Sequence, residues 1–139
     1  MSDDDARIVA RTERGSFETT IGMRGHRLVA DEPLALGGTD LGPTPSELVA
    51  AALAACTTIT LRMYADRKAW PLEAVEVGVG RRIEVGAGGS RAAPRYLRTL
   101  KLTGPLDESQ IARLLQIADR CPVHRQLTGG TEVTTELMG

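Results

Sequence analysis

The chain has 139 residues, which is enough for one domain with a single hydrophobic core. Hydrophobic residues make up 42% and charged residues 25%, as in a globular protein that folds in water. The formal net charge of -1 excludes a strongly basic surface, so we expect neither nucleic acid nor an anionic membrane as a partner.

The apolar runs are short. The acidic segment Met1–Asp5 is not followed by the apolar stretch of a signal peptide. The longest run, Leu48–Cys56, is about half as long as a membrane span. We therefore expect one cytoplasmic domain covering residues 1–139.

The first thirty residues predict a three-stranded antiparallel meander. Three segments of strand-forming residues are separated by glycine-containing turns: Arg7–Thr12, Ser16–Ile21 and His26–Ala30. A glycine-rich loop follows at 33–42.

A long helix is predicted next. Thr44 supplies an N-cap hydroxyl, Pro45 occupies the first helical position and Glu47 the third, which together form a capping box. No helix breaker occurs up to about Arg67, and Pro71 stops the helix. The first half of this helix is apolar on all sides, which predicts that it is buried.

The second half of the chain predicts strands, two helices and a final strand. Alternating strand-forming residues occupy 75–85 and 96–102, with a glycine-rich turn at 86–90. Asp107 opens an amphipathic helix that continues to Ala118, and a short helix is expected from Pro122 to about Leu127. The last predicted strand is Thr131–Leu137. This order of elements indicates an α+β fold.

The two cysteines are the most informative residues. Cys56 lies in the apolar helix, and Cys121 ends the amphipathic segment immediately before Pro122. If the fold brings them together, we expect a dithiol that cycles with a disulfide, because disulfides in reducing compartments are usually transient and catalytic. An N-cap position would lower the pKa of Cys121 and favour it as the nucleophile. The alternatives are a buried apolar Cys56 and a structural Cys121 at a helix break.

The segments Gly42–Cys56 and Ala118–His124, together with the order of the predicted helices and strands, resemble the OsmC/Ohr family of thiol peroxidases. The resemblance implies antiparallel sheets packed on a long central buried helix, in an intertwined homodimer with active sites at the subunit interface. It also implies reduction of organic hydroperoxides or hydrogen peroxide. Cys56 would attack the peroxide and Cys121 would resolve the sulfenic acid. No bound cofactor is implied, and an external dithiol such as a dihydrolipoyl group would reduce the disulfide.

The resemblance also implies a glutamate and an arginine near the thiols. The glutamate should directly follow the helix-opening proline, where this chain has Ser46, and Glu47 stands one place later as either a cap or a catalytic carboxylate. The arginine should lie in the turn between the first two strands, where Arg14 stands, with Arg24 and Arg27 as alternatives.

Two other possibilities remain at this point. His26 and His124 would complete a Cys2His2 set with the cysteines, but the spacing is not typical of a zinc site, and we expect no metal. The alternative to a peroxidase is a non-enzymatic OsmC-like protein that binds an apolar small molecule at the dimer interface. Ser46 favours this alternative, whereas the cysteine pair favours the enzyme.

Overall fold

The computed structural model describes residues 7–83, 87–89 and 93–138. Contacts within the chain form two compact units, divided between Val49 and Ala50. The strands and α-helices are, in chain order, β1 (Ile8–Thr12), β2 (Thr19–Met23), β3 (His26–Ala30), α1 (Pro45–Arg67), β4 (Ala74–Arg82), β5 (Arg95–Thr103), α2 (Glu108–Ala118) and α3 (Pro122–Gly129).

The N-terminal unit contains the predicted meander. β1 pairs with β2 and β2 with β3, both antiparallel. β2 begins at Thr19, later than the predicted start at Ser16. The Thr12 hydroxyl donates to the carbonyl oxygens of Ser16 and Glu18, and this holds both residues in the β1–β2 turn. Arg24 and Gly25 form the β2–β3 turn with φ of 48° and 81°, the left-handed conformation that two-residue hairpins favour.

A buried carboxylate organises the loop after β3. Asp31 accepts hydrogen bonds from the Thr39 hydroxyl (2.6 Å) and from the backbone N–H groups of Glu32 (2.7 Å) and Leu41 (3.2 Å). The Thr39 bond foremost, helped by the backbone donors, holds the pKa of Asp31 below its ordinary value. Gly38 lies so close to the Glu32 carbonyl that a Cβ would clash with it. The loop therefore depends on a charged group that the sequence patterns did not single out.

The capping box at the start of α1 is confirmed. The Thr44 hydroxyl accepts the Glu47 N–H at 3.1 Å, and the Glu47 carboxylate accepts the Thr44 N–H at 3.0 Å. The bond from the Thr44 backbone lowers the pKa of Glu47, because it stabilises the ionised carboxylate. Glu47 thus has a structural role that needs no catalytic function.

The prediction that the first half of α1 is buried on all sides is wrong for the single chain. Its buried residues form one stripe at four-residue spacing: Leu53, Thr57, Leu61 and Ala65. In the first half Val49 is 40% exposed and Ala51 and Ala52 are also exposed, and in the second half Ile59 and Met63 are 55% and 59% exposed. One hairpin and two short helices cover only one side of the helix. α1 is long and apolar enough to cross a membrane, but core helices of soluble proteins meet the same criterion, so this is weak evidence for a span.

The core of the C-terminal unit lies between α1, the β4–β5 hairpin and α2. β4 and β5 pair antiparallel from Ala74 opposite Thr103 to Arg82 opposite Arg95. β4 is predicted to continue to Val85, but Ile83 lies outside the strand, and residues 84 and 85 lie outside the described residues. The buried cluster comprises Leu61, Ala65, Leu72, Leu114, Ile117 and Ala118.

Both predicted C-terminal helices are present, but the prediction of a last strand is wrong. Asp107 caps α2 in a capping box with Gln110, and α3 starts at Pro122. Residues 131–138 form no strand within the described part of the chain, and Val133 and Leu137 are 84% and 97% exposed. Alternation alone does not make a strand when no neighbouring strand supplies hydrogen bonds.

The capping box gives a first prediction. Thr44→Ala should lower the free energy of unfolding by about 1 kcal/mol, because the Glu47 N–H loses its acceptor. Glu47→Ala should also destabilise the protein. The stability that the Glu47 carboxylate contributes should be fully present above the ordinary carboxyl pKa of 4.5. It should be lost as the pH falls through the lower pKa of Glu47 in the folded protein. Urea unfolding at neutral and acidic pH measures both effects, with Ser46→Ala as the control. An equal loss for Glu47→Ala at every pH would contradict this account.

Candidate active site

The C-terminal unit brings the two cysteines into contact, although they lie 65 positions apart. Cys56 is in the middle of α1, and Cys121 lies between α2 and α3. Both are free thiols, and they lie near enough to interact electrostatically, so that each shifts the pKa of the other. Cys121 is completely buried, whereas Cys56 is partly exposed. The expected meeting of the two thiols is therefore observed.

Cys121 caps α3 with its sulfur, as its position before Pro122 predicts. The Cys121 Sγ accepts a hydrogen bond from the His124 N–H at 3.4 Å. Pro122 has no N–H to satisfy at the first helical position. The sulfur therefore lies at the positive end of a helix, which stabilises a thiolate there.

The two thiols have opposite pKa shifts. Burial alone would raise the pKa of Cys121, but the hydrogen bonds from the Cys56 thiol and from the backbone of His124 outweigh it, and the pKa is lowered. Burial raises the pKa of Cys56, and the hydrogen bond with Cys121 raises it further. These directions favour ionisation of Cys121 before Cys56, with the two thiols titrating as a pair.

Arg98 on β5 contacts both cysteine-bearing segments. Its Nη1 donates to the Thr57 hydroxyl at 3.2 Å. Its Nη2 donates to the Asp119 carboxylate at 2.9 Å and to Nδ1 of His124 at 3.1 Å. The Arg98 side chain is only 13% exposed. Thr57 neighbours Cys56, while Asp119 and His124 flank Cys121.

Arg98 was not among the arginines predicted to serve the thiols, although the alternation of β5 contains a signal for it. The partly buried residues of this strand alternate as Tyr96, Arg98, Leu100 and Leu102. A charged side chain in an apolar row must find partners inside the fold, because burying an unpaired charge is costly. Such a residue is a reasonable candidate for a functional cluster.

Thr57 connects Arg98 to the sulfur of Cys121. Thr57 is fully buried, and its hydroxyl donates to the Leu53 carbonyl at 2.7 Å. A hydrogen bond between Thr57 and Cys121 also contributes to the lowered pKa of that thiol. Arg98 is a donor to the Thr57 oxygen, and the hydroxyl hydrogen itself goes to the Leu53 carbonyl.

The other predicted site residues lie in the N-terminal unit. Arg14 is in the β1–β2 turn, Arg24 is in the β2–β3 turn, and Arg27 is on β3. Arg14 and Arg27 line an open, charged cavity of about 530 Å³ together with Arg11, Glu13, Glu18 and Thr20. The roles of Arg14 at the thiolate and of Glu47 in catalysis stay predictions.

Metal binding has little support in the described residues. Within 7–83, 87–89 and 93–138, no three His, Cys, Asp or Glu side chains are grouped so that they could hold a metal ion. His124 is instead a hydrogen-bond partner of Arg98, and His26 lies on β3.

Comparisons with known proteins identify relatives of this fold. The family described as OsmC-like protein matches residues 38–136. An OsmC-like protein from Mycoplasma pneumoniae is 21% identical, with a TM-score of 0.76 over 92% of this chain and 90% of that one. An organic hydroperoxide resistance protein OsmC from Legionella pneumophila is 22% identical, with a TM-score of 0.67 over 88% and 90%. No curated protein matches the sequence.

The coupled thiols give a second prediction. Titration of thiolate absorbance in the ultraviolet should show one step below and one step above the ordinary thiol pKa. Cys56→Ala should raise the pKa of Cys121, which loses a hydrogen-bond donor. Cys121→Ala should lower the pKa of Cys56, which loses its acceptor and a neighbouring charge but stays partly buried. Steps that stay unchanged in both variants would rule out the coupling.

Proposed function

The chain belongs to the OsmC-like protein family, and we propose that it reduces organic hydroperoxides or hydrogen peroxide through a dithiol–disulfide cycle of Cys56 and Cys121. The observation that carries the proposal is the proximity of the only two cysteines of the chain, whose thiols shift each other's pKa. Relatives of the same fold named for organic hydroperoxide resistance support a redox role.

Accessibility favours Cys56 as the attacking thiol. Cys121 is completely buried, so peroxide reaches Cys56 first. Attack requires a thiolate, which forms in this proposal when the Cys56 proton passes to the neighbouring Cys121 sulfur as the peroxide approaches. The Cys56 thiolate then attacks the terminal oxygen of ROOH. The S–O bond forms as the O–O bond breaks, and the departing alkoxide takes the proton from Cys121. Cys56 is oxidised to a sulfenic acid, and the peroxide is reduced to an alcohol or to water.

Cys121 completes the cycle from its N-cap position. As a thiolate again, it attacks the sulfenic sulfur of Cys56, and hydroxide leaves as the S–S bond forms. The two thiols already lie near each other in the C-terminal unit, which favours this step. An external dithiol, such as a dihydrolipoyl group, would return the pair to the reduced state by thiol–disulfide exchange. This chemistry suits the cytoplasm, where thiols are kept reduced.

The test of this function is a third prediction. One equivalent of cumene hydroperoxide should convert both thiols into an intrachain Cys56–Cys121 disulfide, detected by thiol counting and peptide mapping. Cys121→Ser should leave Cys56 as a sulfenic acid that a dimedone probe traps. Cys56→Ser should leave Cys121 unmodified on the same timescale, because it is buried. Survival of both thiols in excess hydroperoxide would refute the peroxidase and support the non-enzymatic binding protein.

We also propose that the protein is a homodimer. α1 exposes an apolar face, and an open groove of about 400 Å³ next to it is lined by Thr58, Ile59, Arg62, Met63 and Val75. Residues 131–138 have the composition of a strand without a pairing strand in the described chain. A second copy could cover the groove and pair with the tail, which would remove apolar surface from water.

Assembly gives a fourth prediction. Light scattering at micromolar concentration should report roughly twice the 14.9 kDa mass of one chain. Met63→Glu should weaken the dimer by placing a charge in the groove, whereas Leu115→Glu, at an exposed position on α2, should leave the mass unchanged. A folded monomer in the unmodified protein would contradict the dimer.

A further inference from the structure

We propose that Arg98 is a positioning residue that clamps the α1 segment carrying Cys56 to the segment carrying Cys121, so that the two thiols stay beside each other. The meaning of this clamp for peroxide reduction rests on the proposed function. Its effect on the thiols themselves can be measured without any peroxide.

The geometry of the clamp comes from one side chain with three partners. Arg98 bonds Thr57 in α1 and, on the other side, Asp119 and His124 around the α2–α3 junction. The guanidinium group offers five N–H donors in a planar fork, so it can hold both segments at once. Lysine carries its three donors on a single nitrogen and cannot span the same partners.

The charge of Arg98 is only partly neutralised. Its side chain is 13% exposed, whereas its ionic partner Asp119 is 69% exposed. Water screens the exposed carboxylate more than the buried guanidinium, so a positive potential remains inside the unit. The charged and titratable groups around the pair are Cys56 from α1, Arg98 from β5, and Asp119 and His124 from the α2–α3 segment.

His124 links Arg98 to the Cys121 sulfur through two hydrogen bonds. Its Nδ1 accepts the Arg98 hydrogen, so the neutral ring has its proton on Nε2. The backbone N–H of the same residue donates to the Cys121 sulfur. Thr57 provides the second link, because Arg98 donates to its oxygen and Thr57 contacts Cys121. Without Arg98, both donors to the sulfur lose the partner that orients them.

The first experiment titrates the reduced protein. Arg98→Met removes the fork, Arg98→Lys restores a cation, and Lys101→Met removes a cation from the opposite face of the same strand. We expect the first thiolate step to move to a pH about one unit higher in Arg98→Met, about half as far in Arg98→Lys, and not at all in Lys101→Met. Circular dichroism checks the fold, and Arg98→Lys decides alone if Arg98→Met does not fold. An unmoved step in a folded Arg98 variant overturns the proposal.

The second experiment separates the two steps of oxidation. Rapid mixing with cumene hydroperoxide should show disulfide formation slowed by about tenfold in Arg98→Met, with more sulfenic acid trapped on Cys56, because the sulfurs are no longer held together. Equal disulfide rates in this variant and in Lys101→Met would overturn the clamp. If the titration step moves but the wild-type thiols survive peroxide, the proposed function fails and the clamp stands.

Discussion

The electrostatic interaction between the Cys56 and Cys121 thiols is the interaction on which the rest of the site depends. A thiolate inside a protein is unfavourable unless donors replace the lost water. Here the Cys56 thiol and the His124 N–H take the place of that water, at the positive end of a helix. The buried stripe of α1 that packs on the core also carries Thr57, directly beside Cys56. The packing that stabilises the C-terminal unit therefore also determines where the sulfurs meet.

A single reactive cysteine needs both access to its substrate and a lowered pKa, whereas in this pair the two properties lie on different residues. Cys121 has the lowered pKa but is completely buried, and Cys56 is accessible but has a raised pKa. A shared proton connects the two properties, because charge on one sulfur can move to the other as the proton crosses. In the proposed cycle, each thiol is suited to one step: Cys56 to meeting the peroxide, and Cys121 to attacking the oxidised sulfur.

Local signals in the sequence predicted most of the fold and half of the site. The capping box at Thr44, the N-cap at Cys121 and the alternation in β5 each act within a few residues, so the sequence contains all that determines them. Arg98 could not be assigned in this way, because its three partners come from distant segments. The buried carboxylate of Asp31 also depends on a loop that closes over it.

The two wrong predictions have one physical cause. The pattern of 131–137 is that of a strand, and the first half of α1 is apolar on all sides, yet both remain largely uncovered within the chain. A sequence pattern shows which surface of a segment is apolar. It does not show whether the same chain or a second chain covers that surface. Val133 and Leu137 in the tail, and Ile59 and Met63 on α1, are exposed apolar side chains among the described residues. The proposed homodimer would cover them, so the measured mass of the assembly tests both patterns together.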